Sequence, residues 1–176
     1  MTAAEARAPS ARGVMFIQDF QVVSRPYEEV IARVGAGTEL LLGAALDSAR
    51  EEGARLWRKV GPTNLPAALS RTVEIHPGPI RVHGASVLVA FSWETRGSSS
   101  LLPALDADLE IAPFGSGQTR VTLQGRYKPP LGWLGWRADQ LLLHRVAEST
   151  ARAFLTEVCK GLESASGGSS TDPAHA

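Results

Sequence analysis

Apolar positions recur along this chain at two spacings, and each change of spacing marks a change of element. In Val14–Val23, Phe16, Gln18, Phe20 and Val22 share one side of an alternating run, which predicts a strand. Three of those four are apolar, so that side is expected to face inward, with Gln18 as a polar group in an apolar wall. Pro26 then suits the first turn of a helix, where its missing N–H has no partner to lose. Glu28 and Glu29 follow, where the helix dipole favours negative charge. Tyr27, Val30, Ile31 and Val34 share one helical face, and Gly35 and Gly37 end this short helix. A second helix is predicted from Thr38, as its N-cap, to about Lys59. Its stripe is Leu42, Leu46, Ala49, Gly53, Leu56 and Val60, with Glu51 and Arg55 spaced as an exposed i,i+4 pair. Gly61-Pro62 stops it, and residues 63–70 read as a loop.

From Arg71 to Lys128 the spacing turns to strict alternation. Val73 and Ile75 alternate with Glu74 and His76, Pro77-Gly78-Pro79 reads as a turn, and Ile80 and Val82 alternate with Arg81 and His83. Val87, Val89, Phe91, Trp93 and Thr95 share a strand face. Ala107, Leu109 and Ile111 oppose Asp106, Asp108 and Glu110, and Val121, Leu123, Gly125 and Tyr127 oppose Arg120, Thr122, Gln124 and Arg126. This is the signature of an antiparallel meander with one wet and one dry face. After Pro129-Pro130 and a Gly- and Trp-rich connector, a long helix is predicted from about Trp136 to Leu162. Leu142, Val146, Thr150, Phe154 and Val158 form its stripe, and at 1.5 Å per residue it is roughly 40 Å long.

Helices early, strands in the middle and one helix at the end make an α+β chain rather than a series of βα units. The dry face needs a cover, and the final helix is the largest apolar partner. The expected architecture is a curved antiparallel sheet wrapped around the C-terminal helix, with two short helices after the first strand plugging one end. The ordered domain is expected over 14–163, with tails at 1–13 and 164–176 expected to be disordered. The residues expected inward are Phe20, Val22, Val89, Phe91, Trp93, Leu109, Ile111, Leu123, Tyr127, Leu142, Val146 and Thr150. Gly125 and Thr150 are expected to leave room there.

Two stretches carry a family resemblance. Arg25-Pro26-Tyr27-Glu28-Glu29-Val30 looks like a strand-to-helix corner of the helix-grip proteins. Gly125-Arg126-Tyr127-Lys128-Pro129-Pro130-Leu131-Gly132, leading to His144-Arg145-Val146-Ala147, resembles uncharacterised actinobacterial-type members. Over about residues 14–162 the chain resembles the SRPBCC superfamily, which includes START lipid-transfer domains and polyketide cyclase-like proteins. The resemblance implies a cavity between sheet and long helix that holds apolar or amphipathic small molecules. It carries over no catalytic residue, because the superfamily shares no catalytic motif.

Composition narrows the functions. Eighteen Lys and Arg balance eighteen Asp and Glu, so broad attraction to nucleic acid or an anionic membrane has no support. Residues 1–13 lack the apolar core of a secretory signal, and no apolar run approaches a membrane span. A cytoplasmic protein with no stable membrane insertion is expected. The single cysteine, Cys159, excludes an internal disulfide and a cysteine-rich zinc site, and it reads as a small core residue. No pair among His76, His83, His144 and His175 has zinc-ligand spacing, so no metal or other cofactor is expected. His76 and His83 should face solvent. His144 sits about 200° around its helix from Leu142 and is spaced to pair with Glu148. Asp106, Asp108 and Glu110 read as a solvated strand face. Trp133 and Trp136 either cap the core or offer a contact surface.

Three functions stay open. The first is binding of a hydrophobic small molecule, such as a lipid, polyketide or isoprenoid. Its candidate contacts are Gln18, Phe20, Phe91, Trp93, Leu109, Leu123, Tyr127, Leu142, Val146 and Thr150. Tyr127 or Gln18 would orient the ligand's polar end, or each simply satisfies a neighbour in the core. The second is an enzyme of the polyketide cyclase or dehydratase type, which needs an inward acid or base. The third is a protein-interaction module with a filled core, using the tryptophan-bearing connector.

Overall fold

The computed structural model describes residues 15–60, 73–95, 104–128 and 140–164. β1 (Met15–Val23) turns through Pro26 into α1 (Tyr27–Val60). β2 (Val73–His83), β3 (Ser86–Thr95), β4 (Ala104–Pro113) and β5 (Thr119–Lys128) follow, and α2 (Gln140–Glu163) comes last. The strands make one antiparallel sheet in the order β1-β5-β4-β3-β2, a meander whose last strand pairs with the first. Gly84 takes the positive φ of +61° that the tight β2–β3 turn requires.

Register settles which side of each strand is buried. Tyr127, Leu123 and Val121 on β5 align with Leu105, Leu109 and Ile111 on β4, and these continue to Trp93, Val89 and Val87 on β3. All nine are buried. Through the same register the inward residues of β1 are Ile17, Asp19, Gln21 and Val23, opposite Gly125, Leu123, Val121 and Thr119. The reading of Phe16, Gln18, Phe20 and Val22 as the inward face is therefore reversed. Phe16 and Phe20 are 70% and 61% exposed on the outer face, and Gln18 is exposed between them. The physical reason lies in α2, whose polar flank faces β1. Arg152 Nε donates to Asp19 Oδ2 at 3.0 Å, and Gln21 Nε2 donates to Thr156 Oγ1 at 2.7 Å. Two polar side chains on the inner side thus find partners there, and the apolar alternation of β1 misreports its orientation.

The two helices expected after β1 run on as the two arms of α1. They meet at Gly37, whose φ and ψ (−162°, 41°) leave the helical region. Gly35 and Gly37 have low helix propensity at this break. Thr38 does not act as an N-cap acceptor; its hydroxyl donates back to the Val34 carbonyl. The second arm does not plug one end. It runs antiparallel to α2: Leu41 lies beside Gly161 at one end, and Ser149 Oγ donates to Glu52 Oε1 at 2.7 Å at the other. Arg55 pairs with Glu52 rather than Glu51, at 2.6 Å. That hydrogen bond holds the Glu52 carboxyl below the usual carboxylate range. Pro77-Gly78-Pro79 is not a turn but a bulge inside β2, between Pro77 and Ile80.

α2 packs against β1 and β5, and α1 packs against β2 and β4, so both helices lie on the inner side of the sheet. Between the layers sits one core that joins Val30, Leu42, Leu46 and Ala49 of α1 to Phe154, Leu155, Val158 and Leu162 of α2 and to the sheet's dry face. This is the helix-grip α+β arrangement.

Candidate functional site

The middle of the inner face is aromatic. Phe91 and Trp93 alternate on β3 with rings 5.9 Å apart, and Phe154 comes down from α2 between them. Its ring stacks on Phe91 at 5.0 Å and tilts against Trp93 at 5.1 Å. Three rings at these separations pack against one another between the layers. Leu109, Leu123, Val146 and Thr150 are also buried where the pattern placed them, and the Thr150 hydroxyl donates to the Ala147 carbonyl at 3.0 Å. The Leu142 side chain, Trp133, Trp136 and His175 lie outside the described residues. Gly125 leaves no room: an added Cβ would stand 2.8 Å from Ala107 Cβ. It allows β4 and β5 to approach closely instead.

One end of this apolar face is polar. Tyr127, the penultimate residue of β5, is 1% exposed, and Leu105 separates it from Trp93 in the register. Its Oη lies 2.9 Å from His144 Nδ1 and 3.1 Å from Met15 Sδ, two acceptors that compete for its single proton. His144 Nε2 lies 3.0 Å from Glu148 Oε1, one turn further along α2. When Nε2 donates to the carboxylate, Nδ1 is left bare and accepts the phenolic proton whenever the hydroxyl turns from Met15. Phenol, imidazole and carboxylate thus form a hydrogen-bonded chain from the buried strand end to the solvent-facing side of the helix. Burial, and secondarily the charge of Glu148, push the Tyr127 phenol up to about 12. It is a neutral donor at physiological pH.

The expected His144–Glu148 pair is present, but placing His144 away from the interior missed its second partner. The i,i+4 spacing was the visible signal. The contact to Tyr127 joins residues from β5 and α2 and had no local trace. His76 and His83 are exposed, as the alternation required. Asp106 and Asp108 stand on the outer face, with Arg81 3.5 Å from Asp108. Ser86 Oγ donates to Glu110 at 3.0 Å. Cys159 is buried in the core, and burial pushes its thiol up to about 12. Among the described residues no three His, Cys, Asp or Glu side chains gather as metal ligands would, and no helix is long and apolar enough to cross a membrane.

No protein-family model matches the chain, and no curated protein matches its sequence. Solved structures do resemble it in fold. A conserved protein from Geobacillus kaustophilus is 12% identical with a TM-score of 0.50, over 84% of this chain and 95% of that one. A hypothetical protein from Helicobacter pylori is 11% identical with a TM-score of 0.47, over 91% and 98%. An aromatase/cyclase from a Streptomyces species is 11% identical with a TM-score of 0.41, over 85% and 94%. At these identities the likeness concerns the fold alone.

Proposed function

We propose that this chain, as a member of the SRPBCC superfamily, binds a hydrophobic small molecule against the inner face of its sheet. The ligand's polar end would meet Tyr127 and His144. The observation that carries this reading is the Tyr127–His144–Glu148 chain at the end of an otherwise apolar face. Apolar burial supplies affinity there, and a fixed donor–acceptor pair supplies orientation. The mutual contact of Phe91, Trp93 and Phe154 moves the reading toward the Tyr127 end. A ligand burying roughly 300 Å² of apolar surface gains about 7 kcal/mol before entropy costs.

The test is native mass spectrometry and thermal shift with fatty acids, isoprenoid alcohols and aromatic polyketides. A ligand at a hundredfold its Kd stabilises the fold by about 2.7 kcal/mol. Tyr127→Phe and His144→Ala should weaken hydroxyl- and carbonyl-bearing ligands more than the matching hydrocarbons. A panel in which nothing is retained and no melting temperature moves would remove the proposal.

An enzyme of the cyclase or dehydratase type is the second reading, favoured by the imidazole that bridges a phenol and a carboxylate. Those are the components of an acid–base pair with a fixed tautomer. Turnover of a ligand found in the first experiment, lost in His144→Ala while binding persists, distinguishes the two.

A further inference from the structure

The outer face of a one-sided sheet is expected to be polar, yet β1 places Phe16 and Phe20 there, largely exposed. Beside Phe16 the surface dips into a concavity of about 550 Å³ that reaches across β1, β5 and β4. Its rim comes from two neighbouring rows of the register. Phe16, Arg126 and Asp106 form one row, and Gln18, Gln124 and Asp108 form the next. The floor is backbone at Ile17, Gly125 and Ala107, with the Ile17 and Ala107 side chains on the inner face.

The charges on this rim are arranged unusually. Asp106 and Arg126 are direct cross-strand partners, the placement in which opposite charges ordinarily pair. They do not: the Arg126 guanidinium lies over the Phe16 ring, 5.4 Å from its centroid. Asp106 makes no ion pair or hydrogen bond among the described residues, whereas Asp108 has Arg81. The side chains of Gln18 and Gln124, also direct partners, likewise make no hydrogen bond among the described residues. The concavity therefore presents the Asp106 carboxylate and the Arg126 guanidinium held apart, a second carboxylate, Asp108, paired with Arg81, two carboxamides that each donate and accept, and one aromatic wall.

We propose that this outer concavity binds a small zwitterion of the α-amino acid type with an aromatic or aliphatic side chain. The ligand's ammonium meets Asp106, its carboxylate meets Arg126, its side chain lies on Phe16, and the glutamines bond what remains. Charge complementarity selects this occupant: a molecule with only one of the two charges leaves the other rim charge unanswered. The site is on the opposite side of the sheet from the inner-face ligand and does not depend on it.

The test is NMR titration of ¹⁵N-labelled protein with L-phenylalanine, following the side-chain amides of Gln18 and Gln124. Phenethylamine and 3-phenylpropionate serve as single-charge probes. Saturable shifts with a Kd on the order of millimolar are expected for phenylalanine, and at least about tenfold weaker binding for either probe. Asp106→Asn and Arg126→Gln should each weaken phenylalanine about tenfold with an unchanged melting temperature, since both are exposed. Absence of saturable shifts overturns the proposal. So does a single-charge probe that binds as well as phenylalanine, or folded variants that bind like the parent.

Discussion

A methyl group added at Gly125 would stand 2.8 Å from Ala107 Cβ and 3.0 Å from the Asp106 carbonyl oxygen. At Gly161 the close atom is Leu41 Cδ1, at 2.5 Å, the tip of a side chain that can swing away. Gly125→Ala should therefore cost about 1–3 kcal/mol in chemical denaturation, because backbone must move. Gly161→Ala should stay near neutral, since helix propensity offsets the crowding. Tyr127 gives a second prediction at this scale. Its phenol is held protonated up to about 12, against 10.0 for the free side chain, so the folded state keeps a proton that the unfolded chain releases. The resulting stability is complete below pH 10 and is lost as pH rises toward 12, by up to roughly 2.7 kcal/mol. Cys159 adds a loss of the same sign from pH 9 upward. Urea midpoints measured from pH 8 to 12 should fall less steeply in Tyr127→Phe than in the parent; equal slopes would refute the role given to the phenol. Residue types alone made Tyr127 an inward polar group. Its partner His144 stayed hidden, because a contact across 17 positions between a strand and a helix leaves no periodic mark.

Strands and helices were readable where local chemistry and burial agree. β3, β4 and β5 alternate cleanly, and their buried sides follow the alternation. The α1 break was visible in Gly35 and Gly37. β1 misled because its inner side is an element boundary: Asp19 and Gln21 answer the polar flank of α2, while Phe16 and Phe20 go outward. The same arrangement guards the sheet's edge. β1 and β2 are the edge strands. β2 carries Pro77, Pro79 and a bulge, all of which frustrate pairing with another strand. β1 has no proline; instead Asp19 points inward, binds Arg152, and its Oδ1 accepts the Phe20 N–H at 2.9 Å. An inward charge that also occupies an edge amide is an obstacle to strand addition. Asp19→Val should leave the monomer fold intact but cause concentration-dependent self-association, measured by light scattering. A variant as monodisperse as the parent would show that the edge is protected by something else.

At the scale of the molecule, one sheet is covered by two antiparallel helices that share a single core, and Phe154 of α2 meets Phe91 and Trp93 of the sheet within it. The order of elements foretold the gripped C-terminal helix. It did not foretell that α1 would share the cover, because an amphipathic stripe specifies that a face is buried and not against what. This shared cover constrains where a ligand can sit. Phe154→Ala removes the ring that touches both Phe91 and Trp93, and should cost about 3–5 kcal/mol. The hole left behind is walled by those two aromatic rings, so it should stay dry and take up benzene, raising the melting temperature of the variant but not of the parent. If the natural ligand lies at the Tyr127 end, the variant keeps its ligand preference and responds to benzene independently. If the ligand instead reaches the middle by displacing Phe154, the variant binds it more tightly than the parent does, and benzene competes. Isothermal titration of both proteins with one ligand, with and without benzene, separates the two arrangements, because only the second links the occupancy of the hole to the affinity for the ligand.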